Sequence, residues 1–209
     1  MIDVEGVEVT LGLNGGGVDR LTLFDNAEIE IDVDFGGSGL ARLAAESIGD
    51  DFDNHIAIDD SSITFVNTGA RVNYVNDPTL TGIDVMAGPG DDLIEARTGN
   101  NLAPLFVIGG DEDAVDTLRL LDMNGDDYFT AVDNQIIHDD DGVIDGDEHF
   151  TFFVDIEALE FDITQDGTDT VDVQAPLLHA PQGVSVDGGG AGDDTLITRG
   201  TDNADYMTV

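Results

Sequence analysis

The chain has no cysteine, no lysine and no tryptophan, and its only basic side chains apart from histidine are six arginines. Without cysteine there is neither a disulfide framework nor a thiolate metal site. Six basic residues against 46 acidic ones give a formal net charge of −40. That balance excludes nucleic acid and anionic membranes as partners, because polyanion binding is driven by basic side chains that displace counterions. No apolar run approaches the roughly 18 residues of a membrane span. Met1-Ile2-Asp3-Val4-Glu5 lacks the basic n-region of a signal peptide. The four histidines, at 55, 138, 149 and 179, form no HxH or HExxH pair, and GxSxG, P-loop and dinucleotide fingerprints are missing as well. Paired carboxylates of the glycosidase type carry no information in so acidic a chain. The expectation is a protein that is not an enzyme.

Acidic self-repulsion on this scale needs an answer, and bound divalent cations, high external salt or a thin, elongated shape would each supply one. At 209 residues the chain is long enough to bury a core, either as one elongated domain or as two compact ones. Period-two alternation runs along nearly all of it. Val7 to Leu11, Leu21 to Leu23, and Ile29, Ile31 and Val33 begin the series. Ile63 with Phe65, Val72 with Tyr74, Ile83 with Val85, and Phe106 with Ile108 continue it. Tyr128 to Val132, Phe150 to Val154, Leu159 to Ile163, Val171 with Val173, and Val184 with Val186 complete it. Gly, Asn and Asp separate these strands. One stretch reads differently: Leu40, Leu43, Ala44 and Ile48 share a helical face behind Ser38, which predicts a short helical insertion.

Repetition predicts how the strands are arranged. Asp92 and Asp116 are 24 residues apart (116 − 92), Asp169 and Asp194 are 25 apart (194 − 169), and Asp116 and Asp127 are 11 apart (127 − 116). These intervals read as whole and half coils of an all-β fold, a parallel β-helix or β-solenoid with about 24 residues per coil. A longer repeat of 78 residues lays Asp116-Thr117-Leu118 on Asp194-Thr195-Leu196 and Asp127-Tyr128 on Asp205-Tyr206. It divides the chain into a partial unit with the helical insertion (1–52), two units (53–126 and 127–204) and the start of another (205–209), all in one solenoid. The chain therefore reads as a piece of something longer.

Gly189-Gly190-Ala191-Gly192-Asp193-Asp194-Thr195-Leu196 fits a GGxGxDxL pattern position by position, and Asn14 to Leu21 and Ala87 to Ile94 each lack only the first glycine. This segment resembles the nonapeptide of RTX-type calcium-binding repeats in secreted bacterial proteins. The resemblance implies a calcium-stabilised β-roll, with ligands from the turn carbonyls around Gly189 and Ala191 and from the carboxylate of Asp194. Asp193, Asp19, Asp91, Asp92 and Asp116 are candidate ligands at the related turns. Gly192 to Leu196, followed by Gly200-Thr201-Asp202-Asn203-Ala204-Asp205, is similar to the long β-strand-repeat, adhesin-like surface proteins of environmental bacteria. That likeness implies a cell-surface or released location.

Two further acidic loops supply candidate oxygen ligands. Asp139, Asp141, Asp145 and Glu148 occupy the third, fifth, ninth and twelfth places of an EF-hand-like loop whose first place is Ile137, which leaves a calcium loop and a merely solvated hairpin both open. Asp122, Asn124 and Asp126 have DxNxD spacing, which suits either a calcium ion or an Asx turn. The leading expectation is a calcium-binding structural module: a stalk, adhesin segment or surface-layer or filament block, capable of end-to-end self-association. A carbohydrate-binding or carbohydrate-active β-helix, with a glycan partner, is one alternative. A salt-adapted acidic structural protein without specific calcium sites is another.

Overall fold

The computed structural model describes residues 7–10, 18–24, 30–34, 40–47, 53–75, 80–97, 103–110, 114–121, 125–139, 148–174, 183–189 and 192–200. Among them are eighteen strands and no helix. The first nine are β1 (Val7–Thr10), β2 (Val18–Phe24), β3 (Glu30–Asp34), β4 (Leu40–Glu46), β5 (His55–Asp59), β6 (Ser62–Phe65), β7 (Ala70–Tyr74), β8 (Leu80–Gly88) and β9 (Leu93–Ala96). The others are β10 (Leu105–Gly110), β11 (Thr117–Leu121), β12 (Tyr128–Val132), β13 (Gln135–Asp139), β14 (His149–Val154), β15 (Ala158–Asp162), β16 (Thr170–Gln174), β17 (Gly183–Asp187) and β18 (Thr195–Arg199).

They form two open, mixed sheets of nine strands each. The first runs β1-β3-β7-β6-β5-β9-β11-β15-β17 and the second β18-β16-β12-β13-β14-β10-β8-β4-β2. Consecutive strands mostly fall in different sheets, so the crossover that every parallel pair needs is supplied by a strand of the opposite sheet. Thr117 lies opposite Leu93 and Thr195 opposite Thr170, each in a parallel pair. Two antiparallel meanders interrupt this alternation: β5-β6-β7 adds strands to the first sheet, and β12-β13-β14 adds strands to the second.

Alternating sequence decides which face is buried. Ile56, Ile94, Leu118 and Leu159 are in register across β5, β9, β11 and β15, and all are buried. Leu43, Ile83 and Leu105 do the same across β4, β8 and β10. The two inner faces share one apolar core, in which Phe129 of β12 meets Phe161 of β15 with ring centroids 5.6 Å apart. Each fully buried side chain of this size contributes about 1.5–3 kcal/mol. Residues 105–110 form a strand, but its buried side chains are Leu105 and Val107, while Phe106 and Ile108 face outward.

The helix expected at Leu40 to Ile48 does not form, and Leu40–Glu46 is strand β4. Its neighbours override the helical propensity of Leu and Ala. β4 lies between β2 and β8, where isolated edges would leave backbone groups unpaired. Ala41, Leu43 and Ala45 point into the core, while Arg42 faces outward and pairs with Asp84 of β8.

Candidate functional site

Aspartates at the strand entries form two columns. In the column leading into the first sheet, the backbone N–H of Asn54 donates to Asp92 Oδ1 at 2.6 Å. The N–H of Asp92 donates in turn to Asp116 Oδ1 at 2.9 Å, and that of Asp116 to Glu157 Oε2 at 2.9 Å. In the column leading into the second sheet, the N–H of Asp127 donates to Asp169 Oδ1 at 2.9 Å, and that of Asp169 to Asp194 Oδ1 at 3.1 Å. Asp92, Asp116, Asp127 and Asp169 are all buried. Each carboxylate thus accepts from the corresponding backbone position of the preceding turn. Bonds of this charge-assisted kind are about twice as strong as neutral ones.

Outer bonds run beside each inner column with the opposite polarity. The N–H of Asp91 donates to Asp53 Oδ1, that of Val115 to Asp91 Oδ1 and that of Thr168 to Asp126 Oδ1, at 3.1, 2.8 and 2.9 Å. Adjacent residues of one turn therefore bind in opposite directions along the stack.

Glycine makes this close stacking possible. A Cβ on Gly167 would lie 1.9 Å from the carbonyl oxygen of Gly125, and one on Gly192 would lie 1.7 Å from that of Gly167. Gly192 also holds φ at +102°, a conformation that L side chains rarely adopt. Gly-x-Asp immediately before a strand is therefore the unit: Gly90 with Asp92, Gly125 with Asp127, Gly167 with Asp169 and Gly192 with Asp194.

One oxygen of Asp92 and one of Asp169 remain over. Among the described residues, Asp92 Oδ2 and Asp169 Oδ2 are buried and have no hydrogen-bond partner. Burial, aided by the nearby Asp116 and Asp53, pushes the Asp92 carboxyl up to about 7. Burial also raises Asp169, which feels the charges of Asp127, Asp194 and Asp126. Beside the second column lies a buried pair, His138 Nε2 and Asp127 Oδ1 at 2.5 Å, with the imidazole stacked on Phe129 at 4.3 Å between ring centroids.

The residues expected as metal ligands are distributed as follows. Asp91, Asp92, Asp116, Asp126 and Asp194 stand in the columns and accept backbone N–H groups. Asp193 is exposed beside Asp194. Gly189 has φ +61° and donates its N–H to Asp187 Oδ1 at 3.1 Å. Asp139 is buried at the end of β13 and Glu148 stands immediately before β14. Asp122, Asn124, Asp141, Asp145 and Ala191 lie outside the described residues, as does the side chain of Asp19. Among the described residues, no group of three or more His, Asp or Glu side chains is arranged to hold a metal ion. Asn54, Asp127, Glu157 and Asp169 were not among the expected ligands. The shorter Gly-x-Asp signal at each strand entry finds Asp127 and Asp169, and the parallel register finds Asn54 and Glu157. Compared with protein-family models, curated proteins and solved structures, the chain matches none.

Proposed function

We propose that the chain is a structural repeat module, a two-sheet β-solenoid serving as a stalk, adhesin segment or surface-layer block of a large secreted or cell-surface protein. The paired carboxylate columns carry this reading. They join successive strand entries at the same offset as the strand pairing, 24 residues from Asp92 to Asp116 and 25 from Asp169 to Asp194. One short motif thus adds turn upon turn, which suits a protein whose task is to extend a surface.

Calcium enters the proposal as a stabiliser of these corners, while the N–H bonds hold the turns themselves. Asp92 Oδ2 near Asp116, and Asp169 Oδ2 near Asp127 and Asp194, are the oxygens left to a cation. An ion there would complete its shell with backbone carbonyls and water. Thermal unfolding followed by circular dichroism, in chelator and in calcium with matched sodium and magnesium controls, tests both parts. The reading predicts a complete β signal in chelator at moderate salt, and a midpoint that calcium raises beyond the matched controls. Loss of the β signal in chelator at every salt concentration would show that the N–H bonds do not hold the corners. A midpoint raised equally by sodium chloride would remove calcium and favour a salt-adapted structural protein.

The aromatic row on the outer face of the second sheet bears on the carbohydrate alternative. Phe106 and Phe152 stack with ring centroids 5.2 Å apart and planes at 15°, and the Arg42 guanidinium covers Phe106 at 4.7 Å. These ring faces are occupied by one another and by the arginine, so they are poor platforms for a sugar ring.

A further inference from the structure

The outer faces of the two sheets differ in charge. On the first sheet, β3, β9, β11 and β15 turn Glu30, Asp32, Glu95, Glu160 and Asp162 outward, and among the described side chains of those strands only Arg119 answers them. On the second sheet, β2, β4, β8, β10 and β14 carry four charged side chains on the outer face among the described residues, and these form two pairs. Arg20 donates to Glu46 at 2.7 Å, and Arg42 donates to Asp84 at 2.6 Å. Two arginines against two carboxylates leave this part of the sheet neutral in a chain of net charge −40.

The same face is apolar. The pairing register sets Phe24, Met86, Ile108 and Val154 in one line across β2, β8, β10 and β14, with Glu46 of β4 between the first two. Phe24, Ile108 and Val154 are 38%, 40% and 38% exposed. Beside this line Phe152 stacks on Phe106 on one side and on Phe150 on the other, the latter at 6.4 Å between ring centroids. Further turns at either end of the sheets would extend this face without covering it.

We propose that the outer face of β2, β4, β8, β10 and β14 is the surface through which two copies of the chain pair, face to face about a two-fold axis. Charge selects this occupant. A basic partner would be drawn to the carboxylate-rich outer face of the first sheet, and an acidic one would be repelled by the molecule as a whole. A second copy brings an equally neutral face, and an isologous joint sets apolar line against apolar line with these arginines already paired. Five strands about 4.8 Å apart and about 20 Å long give each copy roughly 500 Å². The total of about 1,000 Å² is the low end for a specific interface, so the pair is reversible. With −40 on each copy, pairing requires screening.

Sedimentation velocity across a concentration series, at low salt and at about 1 M sodium chloride where the screening length falls to about 3 Å, tests the proposal. The expected result is monomer at low salt and, at high salt, a reversible equilibrium that stops at the dimer. Ile108→Glu should weaken dimerisation about tenfold or more and the milder Ile108→Ser several-fold, both with an unchanged circular dichroism spectrum. Val66→Glu, which adds the same charge at an exposed valine just after β6 of the first sheet, should dimerise as the parent does. Dimers indifferent to both Ile108 variants, or abolished by Val66→Glu, would overturn the proposal, as would multimers that grow past the dimer. A chain that remains monomeric at high salt would also overturn it, and if its β signal persisted the structural-module reading would still stand.

Discussion

At the residue scale, the unit is a buried aspartate whose carboxylate replaces a backbone partner. Its two oxygens have separate fates. Asp92 Oδ1 accepts the Asn54 N–H, whereas Oδ2 is buried without a partner among the described residues. The folded-state value near 7 lies above the ordinary 3.8, so the folded protein holds this proton more tightly than the unfolded chain does. The contribution of Asp92 is thus fully present below about pH 4 and is lost as pH rises through about 7. Asp92→Asn keeps an acceptor for Asn54 and removes the ionisation. Stability measured by urea titration should therefore fall less between pH 5 and pH 8 in Asp92→Asn than in the parent, and an unchanged pH slope would contradict this assignment. Asp169→Ala strands the buried N–H of Asp127 and should cost about 1–3 kcal/mol. Gly167→Ala drives a Cβ to 1.9 Å from a backbone oxygen and should cost about 1–3 kcal/mol by the same urea titration. A Gly167→Ala variant as stable as the parent would show that the turns are not in contact there.

At the scale of elements, strands were legible because alternation is a local property of the sequence. Even the 24-residue spacing of Asp92 and Asp116 reappears as a direct hydrogen bond. What was not legible depends on neighbours. β4 reads as a helix because its Leu and Ala fit either period, and only pairing with β2 and β8 decides between them. The meanders were hidden because each inserts two strands without altering the alternation. The N–H partners of the aspartates were not legible for a related reason: Gly-x-Asp provides a carboxylate at a turn whether its partner is a metal ion or a neighbouring N–H. On the outer face of the first sheet, Arg119 of β11 joins Glu95 of β9 to Glu160 of β15. Bonds from His55 and Arg119 outweigh burial and hold Glu95 below the usual carboxylate range. Because these groups are partly exposed, Arg119→Ala should cost at most about 1 kcal/mol. The loss should shrink in high salt, and a salt-independent effect would point to lost packing instead.

At the scale of the whole molecule, a charge of −40 opposes every turn added, and only six arginines answer it. The thermal midpoint should rise with sodium chloride, a dependence that differential scanning calorimetry would reveal. The apolar core and the carboxylate columns oppose that repulsion. Asn54, Asp92, Asp127 and Asp169 lie outside the strands, so their amides would exchange quickly if these turns were ordinary solvated loops. Amide hydrogen exchange by nuclear magnetic resonance, in chelator and moderate salt, reads the columns without perturbing them. These four amides should be protected as strongly as those of the adjoining strands. Exchange at the rate of open loops, with the strand amides still protected, would show that the columns do not form.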